Sequence, residues 1–188
     1  MIGGMRVGIA DHFGWAVAVT ASADYAVVDR RRIELVEPGV CAAPIHYESR
    51  RLDVAATAAL VASVRASVER ATSAALDELA AALLPGPVLS ISLRTWPMDF
   101  PDDIAVQRRP PYESRADAIM YRRVLSDLAD TRGWDVHLYD AKGVVGRAAS
   151  MLAARADAVL QGPRATLGPP WTNDHRTALA AAIVSASP

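Results

Sequence analysis

Three apolar segments separated by short polar turns open the chain. They cover residues 6–12, 15–20 and 25–36, and Phe13-Gly14 forms a turn signal between the first two. Apolar runs of this length, bounded by turn residues, are typical of β-strands. The gaps between them are far shorter than the roughly dozen residues that a parallel crossover needs, so the three strands are predicted to pair antiparallel.

The rest of the chain alternates between helical and strand patterns. The predicted helices cover residues 53–84, 114–132, 143–161 and 172–186, and the predicted strands cover residues 88–93 and 134–139. Asp53 is the predicted N-cap of the first helix, and Thr172 or Asn173 that of the last. Ser114 followed by Asp117 matches a capping box at the start of the second helix. The pattern predicts an α/β fold with a mixed five-stranded sheet, in which three antiparallel strands precede an α-β-α-β-α half and helices cover both faces.

Composition is consistent with one domain over residues 1–188, because a chain of this length with 52% apolar residues can bury a core of its own. The formal net charge of −1 gives no support to a dedicated nucleic-acid binder, although it allows a local basic patch. The single cysteine, Cys41, cannot form an internal disulfide, which favours a reducing compartment. The first residues lack a leader pattern, and charged residues interrupt the alanine-rich segment 53–84. We therefore expect a cytoplasmic protein with no membrane span.

Polar residues gather where the predicted parallel strands end. If the first strand runs parallel to the fourth and fifth, their carboxyl ends share one edge, and open α/β sheets bind ligands beyond that edge. The residues that follow these strands, or that the last helix could bring to the same edge, are Asp11, His12, Arg94, Trp96, Arg108, Arg109, Tyr112, Glu113, Asp140, Lys142, Asp174, His175 and Arg176. Carboxylates mixed with arginines suit a metal-bridged phosphate, because oxygen ligands hold Mg²⁺ or Mn²⁺ while guanidinium groups pair with phosphate oxygens.

Most of these residues also have a purely structural interpretation. An aspartate at a strand end, such as Asp11 or Asp140, often caps the following turn. Glu113 and Asp174 fall at helix starts, where the macrodipole favours an acid. His12 is expected to point to the opposite side of the pleat from Asp11. These residues therefore indicate a functional site only if the fold brings them together in space.

Three segments resemble the RuvC-like branch of the ribonuclease H-like superfamily, and most closely its YqgF group of resolvases and pre-16S ribosomal RNA nucleases. Residues 7–11 are similar to the first strand of the family, an apolar run that ends in a metal-binding aspartate. Residues 136–140 resemble its fifth strand, and residues 174–183 resemble its terminal helix, in which an aspartate precedes an alanine-rich run.

The resemblance implies a ribonuclease H-like fold and a metal-dependent phosphodiesterase that acts on nucleic acid. By this resemblance Asp11, Asp140 and Asp174 would bind Mg²⁺ or Mn²⁺ and activate water, and the protein could form a homodimer. The predicted substrate-binding residues are Arg94, Arg108, Arg109, Tyr112, Glu113, Lys142, His175 and Arg176.

Two alternatives stay open at the level of the sequence. Ala141 and Lys142 stand where the family has glutamate and arginine after the aspartate of its fifth strand. A non-catalytic domain of the same fold would instead bind an anionic ligand, nucleic acid or a protein partner, with its arginines exposed to the ligand and its aspartates in salt bridges. The second alternative is an unrelated hydrolase with His12 or His175 as general base, although the chain has no Gly-x-Ser-x-Gly, P-loop or Gly-x-Gly-x-x-Gly motif.

Overall fold

A mixed five-stranded sheet lies at the centre of the computed structural model, which describes residues 4–185. Its strands are β1 (Met5–Asp11), β2 (Trp15–Ala21), β3 (Val27–Glu34), β4 (Val88–Arg94) and β5 (Asp135–Tyr139). The spatial order is β3-β2-β1-β4-β5. Strands β1, β2 and β3 pair antiparallel, whereas β4 pairs parallel with both β1 and β5. The predicted sheet is therefore confirmed, and β1 is its central strand.

Helices cover both faces of this sheet, as predicted. They are α1 (Pro44–Glu48), α2 (Val54–Ala82), α3 (Ile104–Gln107), α4 (Glu113–Thr131), α5 (Val144–Leu152), α6 (Ala156–Leu160), α7 (Pro163–Leu167) and α8 (Asn173–Val184). One apolar core lies between the sheet and helices α2 and α4, and a second lies between the sheet and helices α5 and α8. None of the described helices is long and apolar enough to cross a membrane.

Helix α8 packs unusually close to β1. A Cβ atom built at Gly8 would lie 1.8 Å from the carbonyl oxygen of Ala178, so the β1 backbone and the α8 backbone are in direct contact there. The buried face of α8 is formed largely by alanines, which allow this approach. The small side chains on both elements thus set the distance between the sheet and the helix whose first turn holds Asp174 and His175.

The predicted helix over residues 143–161 is wrong in its middle. Helix α5 ends at Leu152, Ala153 has a positive φ of 49°, and a short 3₁₀ turn leads into α6. A positive φ combined with a ψ of −121° is a sparsely populated conformation for alanine and costs of order 1–3 kcal/mol. Burial of Leu152 and Leu160 in the second core offsets this cost, because the break lets both side chains reach the same apolar cluster. No glycine or proline marks the break in the sequence.

The helix caps agree with the sequence at two of three positions. The Ala56 backbone N–H donates to the Asp53 carboxylate at 2.7 Å. Thr172 is the N-cap of α8. The predicted last residue of this helix, residue 186, lies outside the described residues. The capping box predicted for Ser114 and Asp117 is wrong. The Asp117 carboxylate instead accepts bonds from the Ile45 and His46 backbone N–H groups at 3.1 and 2.8 Å and so caps α1.

Candidate anion site at the carboxyl edge of the sheet

A cavity of about 220 Å³ lies where β1 and β4 end. We call it the β1–β4 pocket, and its lining residues are Asp11, His12, Phe13, Arg94, Ala118 and Arg122. The parallel pairing of β1 with β4 brings Asp11 and Arg94 to the same edge of the sheet, and α4 adds Ala118 and Arg122. This is the edge at which the sequence predicts a ligand site.

Asp11 forms an ion pair inside this pocket. Arg122 Nε donates to Asp11 Oδ2 at 2.8 Å, and their side chains are only 11% and 2% exposed. Arg122 also donates to the carbonyl oxygen of Thr95. No motif marks Arg122 in the sequence. Its spacing of four residues from Ala118 places both residues on one face of α4, but the sequence does not show that this face lies beside the end of β1.

A second arginine approaches the other oxygen of the same carboxylate without bonding to it. Arg94 Nε lies 3.9 Å from Asp11 Oδ1, and neither atom has a hydrogen-bond partner within residues 4–185. A buried polar group without a partner costs about 1–3 kcal/mol, and such groups in folded proteins usually bind water or a ligand. Two guanidinium groups against one carboxylate also leave an excess positive charge. The pocket is thus suited to a small anion.

The Tyr139 side chain lies near Asp11 and Arg94 and holds the end of β5 to β1. Its hydroxyl donates to the carbonyl oxygen of Ile9 at 2.6 Å and so connects the end of β5 to β1. Burial raises the pKa of Tyr139 to about 12, and the charge of Asp11 acts in the same direction. The hydroxyl therefore stays protonated at neutral pH and acts as a structural donor.

His12 lies between the pocket and the first turn of α8. Its Nε2 lies 3.1 Å from Asp174 Oδ2, and its ring stacks on Trp15 with centroids 4.1 Å apart. The Asp11 and His12 side chains point to different faces of the sheet, as expected, because Asp11 contacts Arg122 of α4 and His12 contacts Asp174 of α8. Both residues nevertheless contribute to the lining of the β1–β4 pocket. The strand ends at Asp11, and His12 belongs to the hairpin turn, where its backbone N–H donates to the Trp15 carbonyl oxygen.

His175 has a structural role at the start of α8. Its Nδ1 accepts a bond from the Thr172 backbone N–H at 3.2 Å, and the Thr172 side chain accepts from the His175 backbone N–H, so the two residues form a capping box. The His175 Nδ1 also lies 2.8 Å from the Thr172 hydroxyl. Burial lowers the pKa of His175, and the nearby charge of Arg30 lowers it further. A neutral ring is the form that can accept the capping bond.

The remaining predicted residues lie outside the β1–β4 pocket. Asp140 is exposed and caps a turn by accepting from the Lys142 backbone N–H. Arg108 donates to the carbonyl oxygens of Ser49 and Leu52, so it holds a loop together. The others are Arg109, Tyr112, Glu113, Lys142 and Arg176, none of which lines the pocket. Tyr112 packs against Phe100, and Arg176 donates to the Asn173 side chain.

The carboxylates as arranged do not fit a divalent cation. Among residues 4–185, no group of three His, Cys, Asp or Glu side chains is placed to hold a metal ion. Asp11 is paired with Arg122, and Asp174 is paired with His12. A guanidinium group beside a carboxylate repels a cation at the same position. The catalytic and metal-binding assignment of Asp11, Asp140 and Asp174 stays a prediction.

Comparison with known proteins identifies the fold but gives no relative by sequence. No protein-family model matches the chain, and no curated protein matches its sequence. The Thermus thermophilus RuvC structure in complex with a Holliday junction substrate is similar to it with a TM-score of 0.54 and 11% identity, over 96% of this chain and 90% of RuvC. A second Thermus thermophilus RuvC structure has a TM-score of 0.50 and 10% identity, over 95% of this chain and 91% of that one. These similarities show that the chain has a fold like that of RuvC.

Proposed function

We propose that this protein binds phosphate groups of nucleic acid in the β1–β4 pocket and does not hydrolyse them through a bound metal. The observation that carries the proposal is the buried ion pair between Arg122 and Asp11. It places a guanidinium group against the carboxylate that metal-dependent hydrolysis would need to be free.

The charges around the pocket favour an anionic ligand. Arg94 and Arg122 both line the cavity, whereas Asp11 is the one carboxylate in its lining. The Arg94 side chain is 34% exposed and lines the pocket, so its guanidinium group is within reach of a phosphate that enters there. Guanidinium groups form short, charge-assisted bonds with phosphate, and a half-buried position strengthens them.

Nucleic acid is the ligand class that the fold favours. One of the similar solved structures is RuvC in complex with a Holliday junction substrate. The fold alone does not transfer that substrate, because a fold supports many functions. The two arginines in the pocket lining supply a separate chemical reason to choose a ligand with phosphodiester groups.

The two functions predict opposite effects of Asp11→Asn on the affinity for an oligonucleotide, and the test measures this effect. In our proposal the Asp11 carboxylate competes with the ligand for the arginines, so Asp11→Asn removes the competing charge and leaves an oxygen for Arg122. We expect affinity for a labelled thymidine oligonucleotide to rise about tenfold, or 1.4 kcal/mol. This is a fraction of the roughly 4 kcal/mol that two unit charges exchange at 4 Å in an effective dielectric of 20. Fluorescence anisotropy at fixed salt measures the effect.

Asp130→Asn is the matched control, because it removes the same charge from an exposed position outside the pocket. Circular dichroism verifies that each variant is folded. The metal-dependent phosphodiesterase predicts the reverse result. It would be supported by saturable Mn²⁺ binding in calorimetry that Asp11→Asn and Asp174→Asn abolish, together with weaker oligonucleotide binding by Asp11→Asn.

A further inference from the structure

A larger cavity lies beside the β1–β4 pocket, on the face of the sheet that α8 covers. Its volume is about 430 Å³, and we call it the Trp15 cavity. Its lining includes Trp15, Val17, Arg32, Pro170, Asp174 and His175. We propose that the Trp15 cavity binds a nucleobase, so that the two cavities together bind one nucleotide of an unpaired strand. This inference rests on the proposed function and deepens it.

The two cavities are adjacent, because a residue that lines one of them contacts a residue that lines the other. His12 lines the β1–β4 pocket, Asp174 lines the Trp15 cavity, and the two side chains are 3.1 Å apart. A phosphate between Arg94 and Arg122 therefore lies next to a cavity large enough for a base. The His12–Asp174 pair forms the wall between them, and both side chains are about one-third exposed.

Trp15 offers a planar aromatic surface at which a planar cation already stacks. The guanidinium carbon of Arg32 lies 4.0 Å from the centre of the Trp15 ring, while His12 stacks on the same indole with an interplanar angle of 12°. The Arg32 side chain is 54% exposed and pairs with Glu34, which is 61% exposed. Exposed pairs of this kind contribute little, so a base can displace the guanidinium group at low cost. Stacking on His12 holds the indole in position.

The opposite wall of the cavity is fixed by Arg30, whose two terminal nitrogens both donate to backbone carbonyl oxygens. Arg30 donates to the carbonyl oxygens of Leu167, Gly168 and Pro170 at 2.7, 2.9 and 2.5 Å. These bonds hold the segment that carries Pro170 against the edge of the sheet. The cavity is thus formed before a ligand arrives, with apolar surface from Val17 and Pro170 for the faces of a base.

The ligand is single-stranded or locally unpaired nucleic acid, because a base within a duplex is stacked and cannot enter a cavity unless it is extruded. An aromatic platform beside a basic phosphate site is the combination that single-strand-binding proteins use with little sequence preference.

The experiment compares two labelled oligonucleotides with the same number of phosphates, one of thymidine and one fully abasic. We expect the wild-type protein to bind the thymidine strand about 5- to 150-fold more tightly, the range that corresponds to one stacked base. Trp15→Leu should remove this difference between the two strands, whereas Trp15→Phe should retain part of it. Tyr47→Leu is the control, because Tyr47 is an exposed aromatic residue outside both cavities.

The outcomes separate the two proposals. Equal binding of the two oligonucleotides by the wild-type protein overturns the base cavity but leaves phosphate binding intact, and this result needs no variant to fold. A thymidine preference that persists in folded Trp15→Leu also overturns the inference. If neither oligonucleotide binds to the wild-type protein or to Asp11→Asn, the proposed function fails and the inference fails with it.

Discussion

The ends of β1 and β5 look alike in sequence and differ in the folded protein. Each is an apolar run that leads into an aspartate, Asp11 and Asp140. Asp11 is buried and lies against Arg122 and Arg94, whereas Asp140 is exposed and accepts one backbone bond within its own turn. The central position of β1 places α4 and the end of β4 beside its last residue, while β5 is an edge strand. The surroundings of a strand end, not its motif, determine what its carboxylate can do.

The largest expected effect comes from truncation of the two aspartates. Asp11→Ala leaves the nearly buried Arg122 guanidinium without its counter-ion, and loss of one partner of a buried pair costs about 3–5 kcal/mol. Asp140→Ala removes an exposed turn cap and should cost no more than about 1 kcal/mol. Urea denaturation of both variants measures the two free energies of unfolding. Equal losses would break the contrast between the strand ends.

A double-mutant cycle sharpens the contrast within the β1 end. Asp11→Ala and Arg122→Ala should couple by about 2 kcal/mol, because their side chains share a direct bond at 2.8 Å. The cycle of Asp11→Ala with Arg94→Ala should give a smaller value, since that pair is separated by 3.9 Å and lacks a hydrogen bond. Denaturation curves of the single and double variants supply both values. A larger coupling to Arg94 would mean that the ion pair is assigned to the wrong arginine.

The smallest effect concerns pH and the first turn of α8, which contacts the β1 end through Asp174 and His12. Burial lowers the pKa of His175, so the unfolded chain binds a proton near pH 6.5 that the folded protein does not bind. The stability that this residue contributes is therefore present above about pH 6.5 and lost as pH falls through its folded pKa.

His175→Gln should keep the cap, because glutamine is an ordinary capping-box residue, and should flatten the loss of stability between about pH 7 and 5. Thermal unfolding across this range compares the variant with the wild-type protein. His137→Gln makes the same substitution on the edge strand β5, away from the α8 cap, and serves as the control. An unchanged slope in His175→Gln would show that the capping ring does not titrate in this range.

The fold could be predicted because its signals are local and repeated. Strand periodicity, short gaps and the Asp53 cap each depend on neighbouring residues, and the observed sheet order agrees with them. The site could be predicted only in part. Asp11 and Arg94 lie at the predicted edge. The position of Arg122 in the site depends on how α4 packs against the sheet, and the sequence of α4 does not predict this packing. Asp117 shows the same limit, because its partner Ile45 lies 72 residues away.

The contact between Gly8 and Ala178 links the interior of the protein to both proposed cavities. Since backbone atoms meet there, no rotation of a side chain can relieve an added methyl group, and α8 would have to move as a body. Its first turn carries Asp174 and the capping His175, so the movement would displace one wall of the Trp15 cavity. The width of the Trp15 cavity therefore depends on Gly8, a residue that no ligand touches. Substitutions at buried positions such as Gly8 can thus alter ligand preference as well as substitutions in the cavity lining.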